Sequence, residues 1–109
     1  MSNELLWQPS RERIESTNMF RFMDRINEKY GAALAAYPAL YQWSIDHIPE
    51  FWAEVWDFAG IVHSASYTRV VDDPARLPGA KWFAGARLNF AENLLRYRDD
   101  QTALIFKGE

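Results

Sequence analysis

Gly31, Pro38, Pro49 and Gly60 cut the first half of the chain into short helical segments, and this punctuation limits the fold more than any other feature. Ser10 precedes a short polar helical segment at 11–16, and Asn18 is placed to cap a second helix running to Gly31. In that helix Met19, Met23, Ile26 and Tyr30 recur at spacings of three and four with Phe22 alongside, which makes one face apolar. Gly31 ends it by accepting a left-handed conformation. Pro38 and Pro49 suit first helical turns, where a missing N–H leaves no bond unmade. They open helices at 38–46, containing Leu40, Tyr41, Trp43 and Ile45, and at 49–58, ending at Gly60. Phe51, Trp52, Val55, Trp56 and Ala59 give the second of these the densest apolar stripe in the chain.

Beyond Gly60 the pattern changes. Residues 67–71 favour a short strand that Asp72-Asp73-Pro74 stops, and 75–87, with Pro78, Gly79 and Gly85, reads as an irregular crossing segment. Asn89 with Glu92 three residues on has the form of a capping box opening a helix to about 98. Residues 102–106 read as a strand followed by a turn at Gly108, with no later strand to pair with it, so the sequence reads as cut out of something longer. The expected fold is mainly α (α+β): about five helices in a small cap with one or two short strands, the last belonging to a larger sheet.

Composition narrows the function. Five Trp, five Tyr and seven Phe make 16% of 109 residues aromatic. A domain this small buries only about 60% of the surface its unfolded chain exposes. Either the core is unusually aromatic or part of this surface is made to be covered. A net charge of −3 offers no basic field for a phosphate backbone, so nucleic acid is excluded as an expected partner. The absence of cysteine removes disulfides and thiolate chemistry and suits a reducing compartment. Neither a signal peptide at 1–9 nor a membrane span is visible, since the least polar stretch, 32–41, is broken by Pro38. A soluble, cytoplasmic protein is expected.

No catalytic constellation emerges. His47 and His63 lack the spacing that puts two imidazoles on one metal and read as surface or helix-end residues. Glu50 and Glu54 share a helix face at i, i+4 and read as a solvated face opposite Trp52 and Trp56. Asp72-Asp73 and Asp99-Asp100 read as turn and cap residues, since neither has the spacing of a calcium loop. Ser44, Ser64 and Ser66 sit in no nucleophile elbow, and the five glycines form no phosphate cradle. The stretch Trp82-Phe83-Ala84-Gly85-Ala86-Arg87 places two rings and a guanidinium together. It suits an anchor for a neighbouring domain better than a stacking site for a nucleotide base, because nothing nearby holds phosphates.

Trp82-Phe83-x-Gly85-Ala86-x-Leu88-Asn89-Phe90-Ala91-Glu92-Asn93-Leu94-Leu95 resembles a signature near the start of the acetoacetate–CoA ligases, relatives of acetyl-CoA synthetase among the adenylate-forming enzymes. Leu6-Trp7-Gln8-Pro9-Ser10, Leu40-Tyr41-Gln42-Trp43-Ser44 and Phe51-Trp52-x-x-Val55-Trp56-Asp57-Phe58 resemble the same region in the same order. Acetyl-CoA synthetases usually show Gly-Gly-x-Leu-Asn and a following Asn-Cys-x-Asp-Arg-His run. Here Gly85-Ala86 and Asn93-Leu94-Leu95-Arg96-Tyr97 depart from both, which favours the acetoacetate branch.

The resemblance implies that ATP and a 3-oxo acid form an acyl-adenylate, from which coenzyme A displaces AMP. It also implies ATP, magnesium and CoA as cofactors of the full-length enzyme, with no catalytic, cofactor or metal residue in this chain. Residues 1–109 would be a single N-terminal domain: a helical part at 1–60, the crossing at 61–88, and at 89–109 a helix plus the start of the ATP-binding domain. Its role would be structural and non-catalytic alone, with Trp52, Trp56, Trp82, Phe83, Arg87, Asn89 and Asn93 packing on the remainder of the ligase. Exposed apolar surface would also permit self-association. The alternative is a freestanding helical module that captures a protein or ligand through Trp82, Phe83 and Arg87.

Overall fold

The computed structural model describes residues 3–109, which fall into two compact units, one ending at Phe58 and the other Ala59–Glu109. The first unit is helical. Ser10 caps α1 (Arg11–Glu15) by accepting from the Arg13 N–H at 3.2 Å. α2 (Asn18–Tyr30) is capped by Thr17, not by Asn18 as the sequence suggested. Thr17 has extended backbone angles, so its Oγ1 reaches the Phe20 N–H at 3.2 Å while its own O–H donates to the Ile14 carbonyl at 2.7 Å. The Asn18 side chain instead accepts from the Arg21 guanidinium at 2.8 Å. Gly31 ends α2 at φ +65 with its N–H on the Asn27 carbonyl. A Cβ there would meet nothing within 4 Å, so glycine is required by conformation and not by space.

α3 (Tyr37–Asp46) carries Pro38 in its first turn, and α4 (Ile48–Phe58) follows after His47. Phe22, Met23 and Ile26 of α2 meet Leu40 and Trp43 of α3 in the core, with Phe20, Ala32, Leu34, Phe51 and Val55 packed around them. Phe22 makes edge-on ring contacts with Phe51 and Phe58 of α4. The Asn27 side chain exchanges two hydrogen bonds with the backbone of Leu34, at 2.8 and 2.9 Å, and so ties the segment after α2 back onto the helix.

The second unit holds a two-stranded antiparallel sheet. β1 (Arg69–Val71) pairs with β2 (Trp82–Ala84) in the register Arg69 with Ala84 and Val71 with Trp82. β2 lies inside the segment expected to be irregular; its strand character comes from pairing with β1 and not from local pattern. Asp72 Oδ1 accepts from the Asp73 and Lys81 N–H groups and closes the connecting loop. Those backbone donors, Lys81 first, hold its carboxyl below the usual range. Asn89 caps α5 (Phe90–Leu94) by accepting from the Glu92 N–H at 3.1 Å, as expected, though the helix ends at Leu94, well short of residue 98. Residues 102–106, expected as a strand, are in none. Strand geometry gains its hydrogen bonds only from a neighbour, and neither β1 nor β2 pairs with this segment.

Candidate functional site

Two polar clusters, one in each unit, stand out from the largely apolar packing. In the first unit the Glu54 side chain is 0% exposed, although the sequence suggested a solvated face. Positions 51, 54, 55 and 58 share one side of α4, so Glu54 stands beside Phe51 and Val55, which pack on the core, instead of opposite the aromatic stripe. That spacing was the available signal. The buried carboxylate is matched from α2: Arg25 Nε donates to Oε2 at 2.6 Å, Lys29 Nζ donates to Oε1, and the Tyr30 O–H donates to Oε1 at 3.1 Å. Arg25 also reaches Asp57 at 3.6 Å.

Burial pushes the Glu54 carboxyl up, but the donors from Arg25, Lys29 and Tyr30 outweigh it and hold it below its ordinary value. The hydrogen bond to Glu54 raises both Arg25 and Lys29, and burial followed by the same carboxylate raises Tyr30. Every charge in this cluster has a partner, and the buried Glu54 carboxylate, met by three donors from α2, ties α2 to α4.

In the second unit Asn93 acts as a piece of backbone. Its Oδ1 accepts from the Val62 N–H at 2.8 Å and its Nδ2 donates to the Val62 carbonyl at 2.9 Å, with a further bond to the Asn89 carbonyl at 3.0 Å. Arg96 reinforces it by donating to the Asn93 carbonyl and to Asn93 Oδ1, and through Nη1 to the Ala59 and Gly60 carbonyls at 3.0 Å. Arg96 was not singled out in the sequence. Nothing local marks it, because its acceptors lie far away along the chain.

The anchor candidates are distributed over both units. Trp56 is buried, whereas Trp52 and Trp82 are 41% and 42% exposed. Phe83 has φ +48, rare for a residue with a side chain, and its ring meets Tyr67 edge-on at 5.3 Å. Arg87 is exposed at its side chain and bridged through its backbone to Ala65. Asn89 and Asn93 are brought together, and both spend their polar atoms within the second unit.

Among the described residues no three His, Cys, Asp or Glu side chains converge to hold a metal ion, and the glycines lie apart. The described residues thus offer no such cluster to a magnesium-bound nucleotide. No helix among the described residues is long and apolar enough to cross a membrane.

Among the described residues, helices α1 to α4 are followed by a small hairpin and a capped helix. The chain belongs to the family described as acetyl-coenzyme A synthetase N-terminus, which matches residues 37–94. It is 46% identical over 111 residues to acetoacetyl-CoA synthetase of Danio rerio, covering 100% of this chain and 16% of that protein. Malonamoyl-CoA synthetase vrtB of Penicillium aethiopicum is 50% identical over 93 residues, covering 84% of this chain and 13% of that protein. The solved acetoacetyl-CoA synthetase from Streptomyces lividans superposes with a TM-score of 0.78 at 40% identity, covering 86% of this chain and 15% of that one. The chain thus corresponds to a small portion of these ligases.

Proposed function

We propose that the chain serves as the N-terminal, non-catalytic domain of an acid–CoA ligase that converts acetoacetate, ATP and CoA into acetoacetyl-CoA, AMP and diphosphate. The observation that carries this reading is its similarity to acetoacetyl-CoA synthetases along its whole length while spanning only 16% of theirs. ATP, magnesium and CoA would be bound by the remainder of the enzyme, which is the partner this domain requires. Trp52, Trp56, Trp82, Phe83 and Arg87 would contribute to packing on that remainder, and Asn89 and Asn93 would support it by holding the second unit in shape. The enzyme would work in the cytoplasm, and the isolated chain, with its exposed apolar side chains, would tend to self-associate.

A relative that carries a malonamoyl name is as similar in this region as the acetoacetyl ones, so similarity here follows the domain and not the acyl pocket. The test is ATP- and CoA-dependent AMP release by the polypeptide extended through its downstream coding sequence, with acetoacetate, malonamate and acetate compared. Preference for acetoacetate supports the assignment. Turnover of none of the short oxo acids overturns it, and the 109 residues alone are expected to give none.

A further inference from the structure

Ile14 of α1, Met19, Phe20 and Met23 of α2, and Ala36 ahead of α3 wall a cavity of about 260 Å³ in the first unit, open to solvent on one side. Among the described residues that line it, Arg11 is the one charged side chain. Its guanidinium lies over the Phe20 ring, 5.5 Å from the centroid, which sets the charge against an apolar wall. Only the Nε is engaged: Glu15 accepts from it at 2.6 Å, and no described residue accepts from the two Nη groups. The Thr17 hydroxyl, also in the wall, is spent on the Ile14 carbonyl and the Phe20 N–H. An apolar space with an unclaimed guanidinium fork at its edge suits an apolar chain that ends in a carboxylate, whose planar pair of oxygens matches that fork. Sites for drug-sized ligands run to about 300–1,000 Å³, so this smaller one takes a single short chain. Two unbranched methionines in its wall let it adapt to such a chain.

We propose that this cavity is a binding site for a free alkanoate, with the chain between Ile14, Met19, Phe20 and Met23 and the carboxylate on the Arg11 Nη groups. Charge selects the occupant: a cationic chain of the same length would meet the Arg11 guanidinium with repulsion. Glu15 works against the ligand, because its carboxylate offsets part of the Arg11 charge. Nothing in this site depends on the proposed ligase activity.

Carbon-13 methyl spectra of the methionine-labelled protein, titrated with sodium octanoate below its micelle concentration, test it; Met19→Leu and Met23→Leu assign the signals. Met19 and Met23 are expected to shift together and to saturate. The Arg11 side chain is 68% exposed, so its charge acts through water. Arg11→Gln should therefore weaken octanoate binding by about 3- to 5-fold, and octylammonium should bind the unaltered protein more weakly than octanoate by at least as much. Glu15→Gln should tighten octanoate binding. Ala36→Leu, which fills the cavity, should remove the shift while the circular dichroism spectrum stays unchanged. The absence of a saturable shift overturns the proposal, as does octylammonium binding as tightly as octanoate or Arg11→Gln without effect. A Met19 shift that follows protein concentration instead of octanoate gives the cavity to a second copy and overturns it too.

Discussion

Asn93 and Val62 meet as two strand residues would: the Val62 N–H donates to the Asn93 side-chain carbonyl and the Asn93 amide donates to the Val62 carbonyl. A side chain here replaces a missing strand neighbour, satisfying both polar groups of a residue that no backbone reaches. Asn27 does the same for Leu34 in the first unit.

Replacing Asn93 by Ala should therefore destabilise the second unit by about 1–2 kcal/mol, the cost of leaving partly buried backbone groups without partners. Asn93→Asp keeps the acceptor for the Val62 N–H and loses the donor to its carbonyl, so it should fall between. Amide exchange at Val62 reads the effect directly, and an unchanged Val62 in Asn93→Ala would contradict the pairing.

The Glu54 cluster makes a second prediction. Removing one member of a buried ion group costs about 3–5 kcal/mol when the others stay buried. Arg25 and Lys29 are 40% and 51% exposed at their side chains and can turn to water, so Glu54→Gln should cost less, about 2 kcal/mol. Glu50→Gln on the exposed side of α4 should change stability by less than about 0.5 kcal/mol. Urea midpoints of the two variants separate these outcomes.

The same cluster contributes to the pH dependence of the first unit. The Glu54 carboxyl is lowered in the folded chain from its ordinary 4.5, so its contribution is present above about 4.5 and is lost as pH falls through the lower folded value. Lys29 is raised from 10.5, so its contribution is full below 10.5 and is lost only as pH rises through the higher folded value. Tyr30 is raised from 10.0 and likewise loses its contribution as pH rises, so stability from this cluster should be flat between about 4.5 and 10.0. Glu54→Gln should flatten the acid limb, which a series of urea unfolding curves at stepped pH would record.

Thr17→Ala should cost about 1 kcal/mol because it uncaps α2. Asn18→Ala should cost appreciably less, since Asn18 holds only an exposed arginine. Thermal unfolding followed by circular dichroism ranks the two, and the reverse order would return the cap to Asn18.

Much of the helical unit was legible because its signals are local. Ser10, Gly31, Pro38 and Pro49 act within one turn of where they stand, and the stripe of Phe22, Met23 and Ile26 needs only helical spacing to be seen. What escaped depends on distant partners. Glu54 reads as solvated until Arg25 and Lys29 are brought across from another helix. Trp82–Ala84 reads as loop until β1 lies beside it. Among the anchor candidates, Asn89 was legible as a cap, whereas the work of Asn93 depends on Val62, 31 residues earlier.

The Arg96 guanidinium spans a separation of 37 residues to reach the Ala59 carbonyl. It closes residues 59–96 into a ring, sealed by that guanidinium and by the Asn93–Val62 pair, with the β1–β2 hairpin inside it.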